Sequence, residues 1–521
     1  MKKLLSIICI SATVATASAQ TEFDALKLSQ RDIVGTSRYM SMGGALGALG
    51  ADASAININP AGLGMYRHSD IGFSFGLTDN YVTTDWYGGS TDESRWRVPF
   101  TSASFVCSFT DNKRKSGIIS NNIAFTFNKV KNFNRNTSAI AAQNSNASMT
   151  DYMAELTNEN IMGNGLNLKS GYYGVKNPYS NLSLGYLTIM GLKSGALEPN
   201  ADTSKVQSCL TSGETVLPEY NIHEEGYVNE WNFSYGMNIA NRVFWGIGVG
   251  FQDLKYRKDI YYQEKFQNGG SMSLESSSET TGAGINVNLG VLVAPIDEVR
   301  IGAAIHTPTF YTSSQEDNGI TLNEASRMTS LSSSEYNTSS TYFELTTPWR
   351  YNFSTAFLIG HRGAVSLDYE IVDYNTMRLK NPNGLSSFYN VENNGIKELY
   401  RATHSLRAGL ELQAFEGFFV RAGYAFVTSP FKNPNNASKL LAFNTVETDP
   451  SFMINRWTNY FSGGIGYRTG LFYVDLAYQL RQEKYDVYTF DNLSYASTSS
   501  LRAAKAKNYM HNIVLTLGMR L

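Results

Sequence analysis

Apolar and polar residues alternate with a period of two along most of this chain. In "SDIGFSFGLTD" Ile71, Phe73, Phe75 and Leu77 share one face, with Gly and Ser between them. "EWNFSYGMNIA" repeats the pattern with Trp231, Phe233, Tyr235, Met237 and Ile239, and "GINVNLGVLVA" with Ile285, Val287, Leu289, Val291 and Val293. Such runs predict strands with one apolar face and one polar or small face. Fourteen are expected, centred near 74, 104, 124, 235, 250, 288, 305, 354, 369, 409, 423, 463, 477 and 515. Each is about 10–14 residues long, the length of a tilted strand crossing a bilayer.

The connections alternate between short and long. Short ones fall at 111–116, 241–242, 295–298, 360–363, 414–417 and 468–470. Long ones run at about 80–97, 131–228, 258–280, 312–348, 375–402, 429–457 and 483–507. Short inner turns, long outer loops and an even strand number are the pattern of an outer-membrane barrel. Trp96, Trp231, Trp349 and Trp457 fall where strands begin after a long loop, and Trp245 just after a short turn, the two levels of an aromatic girdle. The expected fold is all-β: a 14-stranded antiparallel transmembrane β-barrel.

Composition supports that picture. Aromatic residues make up 13% and charged residues only 17%, and no run of about 18 apolar residues predicts a membrane helix. Lys2 and Lys3, the apolar run to about Ala15, and Ala17-Ser18-Ala19 predict a signal peptide over 1–19. Cys107 and Cys209 make no disulfide framework, the near-neutral charge argues against nucleic acid, and the six His show no metal spacing. No cofactor is expected. Gly43-Gly44 lacks the strand and Lys-Ser/Thr of a phosphate loop, and His404-Ser405 point to opposite faces of a strand, so no enzyme is expected.

If the apolar parity faces lipid, Asp368, Glu370, Arg407, Glu411, Arg421, Asp475, Arg481 and Arg520 face the lumen. A barrel of this size holds water unless it is filled. The stretch "GTSRYMSMGGALGALGADASAININPAGLG" at 35–64 is small-sided and nearly uncharged, and it is the expected filler, a hatch spanning 20–68 ahead of a barrel at 69–521. In the long loop 131–228, Met149, Tyr152, Met153 and Leu156 have helical spacing behind a possible N-cap, Ser148, and 182–192 reads as helix or strand. These pieces suit either a hydrophobic lid or a compact loop subdomain without a ligand.

These residues resemble the FadL/TodX-type outer-membrane transporters of hydrophobic compounds. The resemblance rests on the 35–64 stretch with its motif Asn59-Pro60-Ala61, on "RIGAAIHTPT", on "TTPWRYNFSTAFLIG" followed by "LDYEIVDY", and on "HSLRAGLELQAFEGFFVRAGYAFVTSP". It implies a hatch-plugged barrel that captures a hydrophobic ligand at the outer loops and releases it sideways through the wall. The last strand ends on Leu521, as in the signal read by barrel-assembly machinery, where Phe is commoner. Asn121 falls on the lipid parity of the third strand, so Ser120-Asn121-Asn122 mark either a lateral gap or the periplasmic interface. Met153, Leu156, Leu184 and Met190 are candidate ligand contacts. Arg407 and Arg421 either meet a ligand carboxylate or form structural ion pairs. The function expected is passive transport of hydrophobic small molecules, long-chain fatty acids or similar, across the outer membrane of a Gram-negative bacterium, by a monomer embedded in outer-membrane lipid. A hemin receptor, and a surface adhesin or structural barrel, are the alternatives.

Overall fold

The β-branched and aromatic runs do form strands. A computed structural model describes residues 21–111, 116–164, 167–180, 185–325, 335–360, 362–434, 449–490 and 501–521. Fourteen antiparallel strands follow the chain: Asp70–Trp86; Gly89–Arg97 continued by Phe100–Thr110; Ile118–Asn132; Val216–Ile239; Val243–Phe266; Ser271–Ile296; Val299–His306 continued by Phe310–Ala325; Glu335–Thr346 continued by Arg350–Ile359; Gly363–Asp373; Ala402–Phe415; Phe418–Thr428; Phe452–Thr469; Phe472–Tyr488; and Ala504–Arg520. The last pairs with the first, from Asp70 opposite Arg520 to Asp85 opposite Lys505, and closes the barrel. All fourteen expected centres fall inside these strands. The two-residue turn Tyr87-Gly88, between paired Trp86 and Gly89, has φ of 42° and 77°, as a type I′ hairpin requires.

The outward parity carries the lipid face. Phe73, Phe75, Phe105, Phe233, Phe353, Leu406, Ile465 and Leu515 are all exposed large apolar residues, and so are their neighbours around the wall. A soluble protein does not leave such a continuous belt in water. Exposed Trp96, Trp231 and Trp349 sit at its rim.

Several strands outrun the membrane. The fourth, fifth and sixth have 24, 24 and 26 residues, so much of what the sequence predicts as loop is continued strand. The fifth shows why. Outward Trp245, Ile247, Val249 and Phe251 give way to Asp253, Lys255 and Arg257, while inward Gly246, Gly248 and Gly250 give way to Leu254, Tyr256, Ile260 and Tyr262. Below the rim the wall is apolar outside, in lipid. Above it the wall is apolar inside, as in any protein facing water.

That upper interior is filled. Helices α4 (Met149–Asn164) and α5 (Tyr186–Ser194) of the long loop pack on Tyr220, Ile222, Ile260, Tyr262 and Met272 of the wall. The 182–192 ambiguity resolves to helix over its described part, and Ser148 Oγ accepts from Thr150 N (3.1 Å) at the start of α4. Glu264 of the wall accepts from Met149 N and Ser148 Oγ, both at 2.6 Å, and fixes the helix start.

Residues 21–66 lie inside the barrel. They form α1 (Glu22–Ser29), α2 (Ser37–Ser41), α3 (Ala53–Ile56) and a 3-10 turn, Pro60–Met65. α1 is closed by a capping box between Thr21 and Asp24. Much of the remainder packs against small wall residues, Ala356, Ala364, Ala425, Ala477 and Val514, with Tyr460 among them and Phe244 and Leu292 beside Ala61.

Candidate functional site

The motif Asn59-Pro60-Ala61 is a clasp. Asn59 Oδ1 accepts from Ala61 N (3.1 Å) and starts the 3-10 turn. Its Nδ2 donates to Gly47 O (3.0 Å) within the segment and to Val291 O (3.3 Å) of the sixth strand. His306 Nε2 of the seventh strand donates to Ile58 O (2.9 Å). Pro60 lies against Gly246, Asn59 against Gly290, and Met42-Gly43 against Gly423, at distances where a Cβ on the wall glycine would collide. The wall approaches the segment closely because it is made of glycine at those points.

Charges tie the segment down as well. Arg38 makes a bidentate pair with Glu411 (2.8 and 2.9 Å), which also accepts from Arg421 (2.6 Å), and Arg421 reaches Asp475 (2.5 Å). Arg31 makes another bidentate pair with Glu230 (3.0 and 3.1 Å). Arg421 therefore sits in an ion-pair chain, outside the cavities described below.

The third strand departs from a regular barrel, and the seventh and eighth strands are also interrupted, at 307–309 and 347–349. Ser120 to Asn128 pair with the second strand on one side, and Ser120 to Lys129 with the fourth on the other. Ser120-Asn121-Asn122 therefore open no gap, which corrects that expectation. Asn121 accepts from Tyr235 OH (2.7 Å), and Asn122 Nδ2 donates inward to Leu63 O (2.7 Å) and Tyr66 O (3.1 Å). Asn121 is held by Tyr235 and Asn122 Nδ2 by the inner segment, while Asn122 Oδ1 finds no partner in the protein. The register against the fourth strand slips twice, between Ile118 and Ser120 just below the triplet and again higher up between Lys129 and Lys131, and the second strand breaks at Val98-Pro99. Beyond this point the chain runs on the lumen side of the first hairpin. Inward-facing Asn80 donates to Asn134 O (2.7 Å), and buried Arg95 to Glu224 O (2.6 Å). Asp32 of the inner segment fastens the bend: its N–H donates to Val130 O (2.8 Å), Lys131 Nζ donates to Oδ1 (3.1 Å) and Asn132 N to Oδ2 (3.3 Å).

Three cavities string along residues 21–34. The first, about 100 Å³, lies between α1, the bent strand and the upper wall. Phe23, Leu26, Phe133 and Met510 give it an apolar side, and Lys27, Lys131, Arg135, Lys258 and Arg481 a cationic one. The cations are balanced: Lys27 on Glu224 (2.5 Å), Lys258 on Asp449 (2.5 Å), and Arg481 on Asp32 (3.3 Å) and Glu483 (2.9 Å). Burial lowers the Lys27 ammonium to about 8, although Glu224 pulls it the other way. A smaller cavity, about 20 Å³, follows beside Leu28–Arg31. A deeper one, about 80 Å³, is lined by Arg31, Tyr39, Arg350, Ser405 and Arg407. There Arg407 pairs with Glu370 (2.9 Å), while its Nε and Nη1 find no hydrogen-bond partner in the protein.

The loop candidates are placed differently. Met153 and Met190 are fully buried in the core around α4 and α5, Leu156 packs against that core, and Leu184 lies outside the described residues. None of them lines the first cavity, whose residues α1 and the 131–135 stretch supply. Met153→Asp is expected to act on the loop fold. Burying a carboxylate there costs about 3 kcal/mol or more. Protease should then cut within 149–194 while the barrel keeps its heat-modifiable mobility on a gel.

No protein-family model and no curated protein sequence matches the chain. Among solved structures it is similar to a FadL homologue of Pseudomonas aeruginosa, at 12% identity and TM-score 0.52, over 94% of this chain and 99% of that one. It is also similar to the toluene transporter TbuX of Ralstonia pickettii, at 13% identity and TM-score 0.47, and to the toluene transporter TodX of P. putida, at 9% and 0.47, each over 94% of this chain and 99% of the other. The chain has the FadL-type fold, a 14-stranded barrel closed around its own N-terminal segment.

Proposed function

We propose that the protein is an outer-membrane channel for hydrophobic small molecules that carry a carboxylate, long-chain fatty acids above all. The N-terminal segment acts as its hatch. The observation that carries this reading is the row of part-apolar, part-cationic cavities along residues 21–34, above a lumen filled by the rest of that segment. The cavities of about 100 and 80 Å³ are too small for a whole ligand, since drug-sized pockets run to roughly 300 Å³ and above. Passage therefore requires residues 21–34 to move and join them. Apolar walls take the chain of the ligand, Lys27 and then Arg407 meet its carboxylate, and the break at Val98-Pro99 beside Lys129–Lys131 is the weak seam for sideways release.

A reversible lock tests this. Ser37 Oγ lies 2.9 Å from Thr516 Oγ1, so cysteines at both positions are close enough to join the hatch to the fourteenth strand. In cells without another fatty-acid channel, and with Cys107 and Cys209 changed to serine, oxidation should cut oleate uptake at least about tenfold. Reductant should restore it. Uptake indifferent to the lock would end the hatch reading.

pH supplies a second check. Lys27 loses its proton as pH rises through about 8, well below an unfolded lysine near 10.4. Between those values the unfolded chain binds more protons, so its anchoring is not weakened by alkali. Carboxylate affinity is. Oleate binding should fall across pH 7 to 9, and Lys27→Met should abolish that dependence.

A further inference from the structure

On the outward faces above the apolar belt, cations are generally matched by acids. Lys255 pairs with Glu279 (2.9 Å), Arg257 with Asp259 (3.0 Å) and Arg97 with Glu225 (3.7 Å). The thirteenth and fourteenth strands break that rule. Lys484 stands directly opposite Lys507, both exposed. Across the other side of each strand their opposite numbers are Trp457 and Thr83, neither an acid. The acids beside Lys484 in sequence are engaged elsewhere: buried Glu483 binds Arg481 (2.9 Å), and buried Asp486, on the parity of Lys484 and opposite Lys505, binds Arg456 (2.6 Å). Lys505, one outward step higher, has Asp85 opposite it. Among the described residues, Lys484 and Lys507 have no ion-pair partner of their own. Like charges directly opposite on a sheet repel, with Cβ atoms about 4.5–5.5 Å apart. The arrangement spends stability unless an anion sits between the ammoniums.

The level of the pair indicates which anion. Trp457 is in register with Lys484, and the Lys484 ammonium lies 5.0 Å from the centre of its ring. One outward step below come Gln482, Tyr509 and Tyr81, in register with one another, then Leu480, His511 and Asp79, and below those the exposed Tyr478, Ile513 and Leu77 of the belt. From apolar side chains through tyrosines to lysines, the surface follows a lipid from acyl chain through interface to headgroup.

We propose that Lys484 and Lys507 clamp a phosphate of a phosphorylated lipid in the outer leaflet, with Tyr81, Tyr509 and Trp457 against the region joining its headgroup to its chains. The proposal rests on the outer-membrane reading above and not on the ligand transported.

Native mass spectrometry of the full-length, detergent-solubilised protein tests it, with bis-phosphorylated lipid A as the probe. The native chain should retain one lipid A adduct. K484Q/K507Q should lower that adduct at least about fivefold, K484R/K507R should restore it, and K255Q should leave it unchanged. Lipid A stripped of both phosphates should bind the native chain no better than it binds K484Q/K507Q. Heat-modifiable mobility confirms that each variant is a folded barrel, so a lost adduct cannot be read as a lost fold or a failed membrane reading. Equal adducts on the native chain and K484Q/K507Q would overturn the proposal, as would equal binding of the dephosphorylated lipid. Displacement of lipid A by 1 mM inorganic phosphate would identify a free-anion site and overturn the lipid assignment.

Discussion

Leucine at Gly246 and Gly423 together is expected to expel the hatch and convert a closed barrel into an open pore. A Cβ at Gly246 would lie 2.3 Å from Pro60 O and 2.4 Å from its carbonyl carbon, and one at Gly423 would lie 2.1 Å from Gly43 N and 2.3 Å from Met42 C. All four are backbone atoms, so no rotamer change relieves the collision. Overpacking costs about 1–3 kcal/mol per site, sometimes more, and separated sites add. The wall itself loses nothing, because an inward leucine on a strand has room once the segment has left. Conductance across a planar bilayer should rise at least about tenfold over the native protein, and added protease should remove residues 21–66. Gly463→Leu is the control. That position has the lipid-facing parity of Phe461 and Ile465, and its added Cβ meets nothing closer than Arg421 O at 3.6 Å. A double variant that stays closed, with its N-terminal segment protected, would show that the fit of wall to segment does not hold the hatch.

The same glycines show what could be read from sequence and what could not. In "GIGVGF", Gly246, Gly248 and Gly250 alternate with Ile247 and Val249, so their inward placement follows from parity. That Gly246 faces Pro60 is a contact across more than 180 residues, and no period reports it. Strand number and the lipid face were legible because a bilayer imposes one rule on every strand. Strand length was not. Past Phe251 the apolar parity moves from outside to inside, and a reader following one parity sees the strand end where it continues to Phe266. The bend in the third strand was sought at Asn121, from a polar residue on the lipid parity. One slip does lie beside it, between Ile118 and Ser120; the second lies at Lys129–Lys131, where "KVKNFNRN" puts buried Val130 and Phe133 three apart and the period of two is lost. That slip was visible in the sequence, and it marks the bend better than a lone asparagine, which a neighbouring tyrosine satisfies. Met149 and Met153 were read correctly as helical and apolar, while Met190 lay in a stretch that read as helix or strand and is helix. Helical spacing does not say which face the helix turns to a ligand, and both Met153 and Met190 turn to the loop's own core.

Asp32→Ala is expected to release the upper part of the hatch while leaving Asn59 and the wall glycines in place. Burial alone would raise the Asp32 carboxyl, but Arg481 and Lys131 outweigh it and hold the group below the ordinary carboxylate range. Its removal strands Lys131, whose side chain is 7% exposed and 3.1 Å from Asp32, and halves the compensation of Arg481. Breaking a buried pair from one side costs about 3–5 kcal/mol. Arg481 keeps Glu483 at 2.9 Å, so the lower end applies. Three kcal/mol is roughly a hundredfold shift toward the released state. A probe on α1 should therefore exchange amide hydrogens about a hundred times faster in the variant, and the first cavity should widen enough to bind oleate without a lag. The sign with pH follows from the depressed carboxyl. The tie is fully present above the unfolded value near 3.9 and is lost as pH falls through the folded one, because protonation then favours release. Native protein should loosen α1 only below about pH 4, and Asp32→Ala should be loose at every pH. Asp32→Asn separates charge from hydrogen bonding. It keeps an acceptor for Asn132 N but not the charge facing Lys131, so exchange in this variant as slow as in the native protein would show that the ion pairs do not fasten the bend.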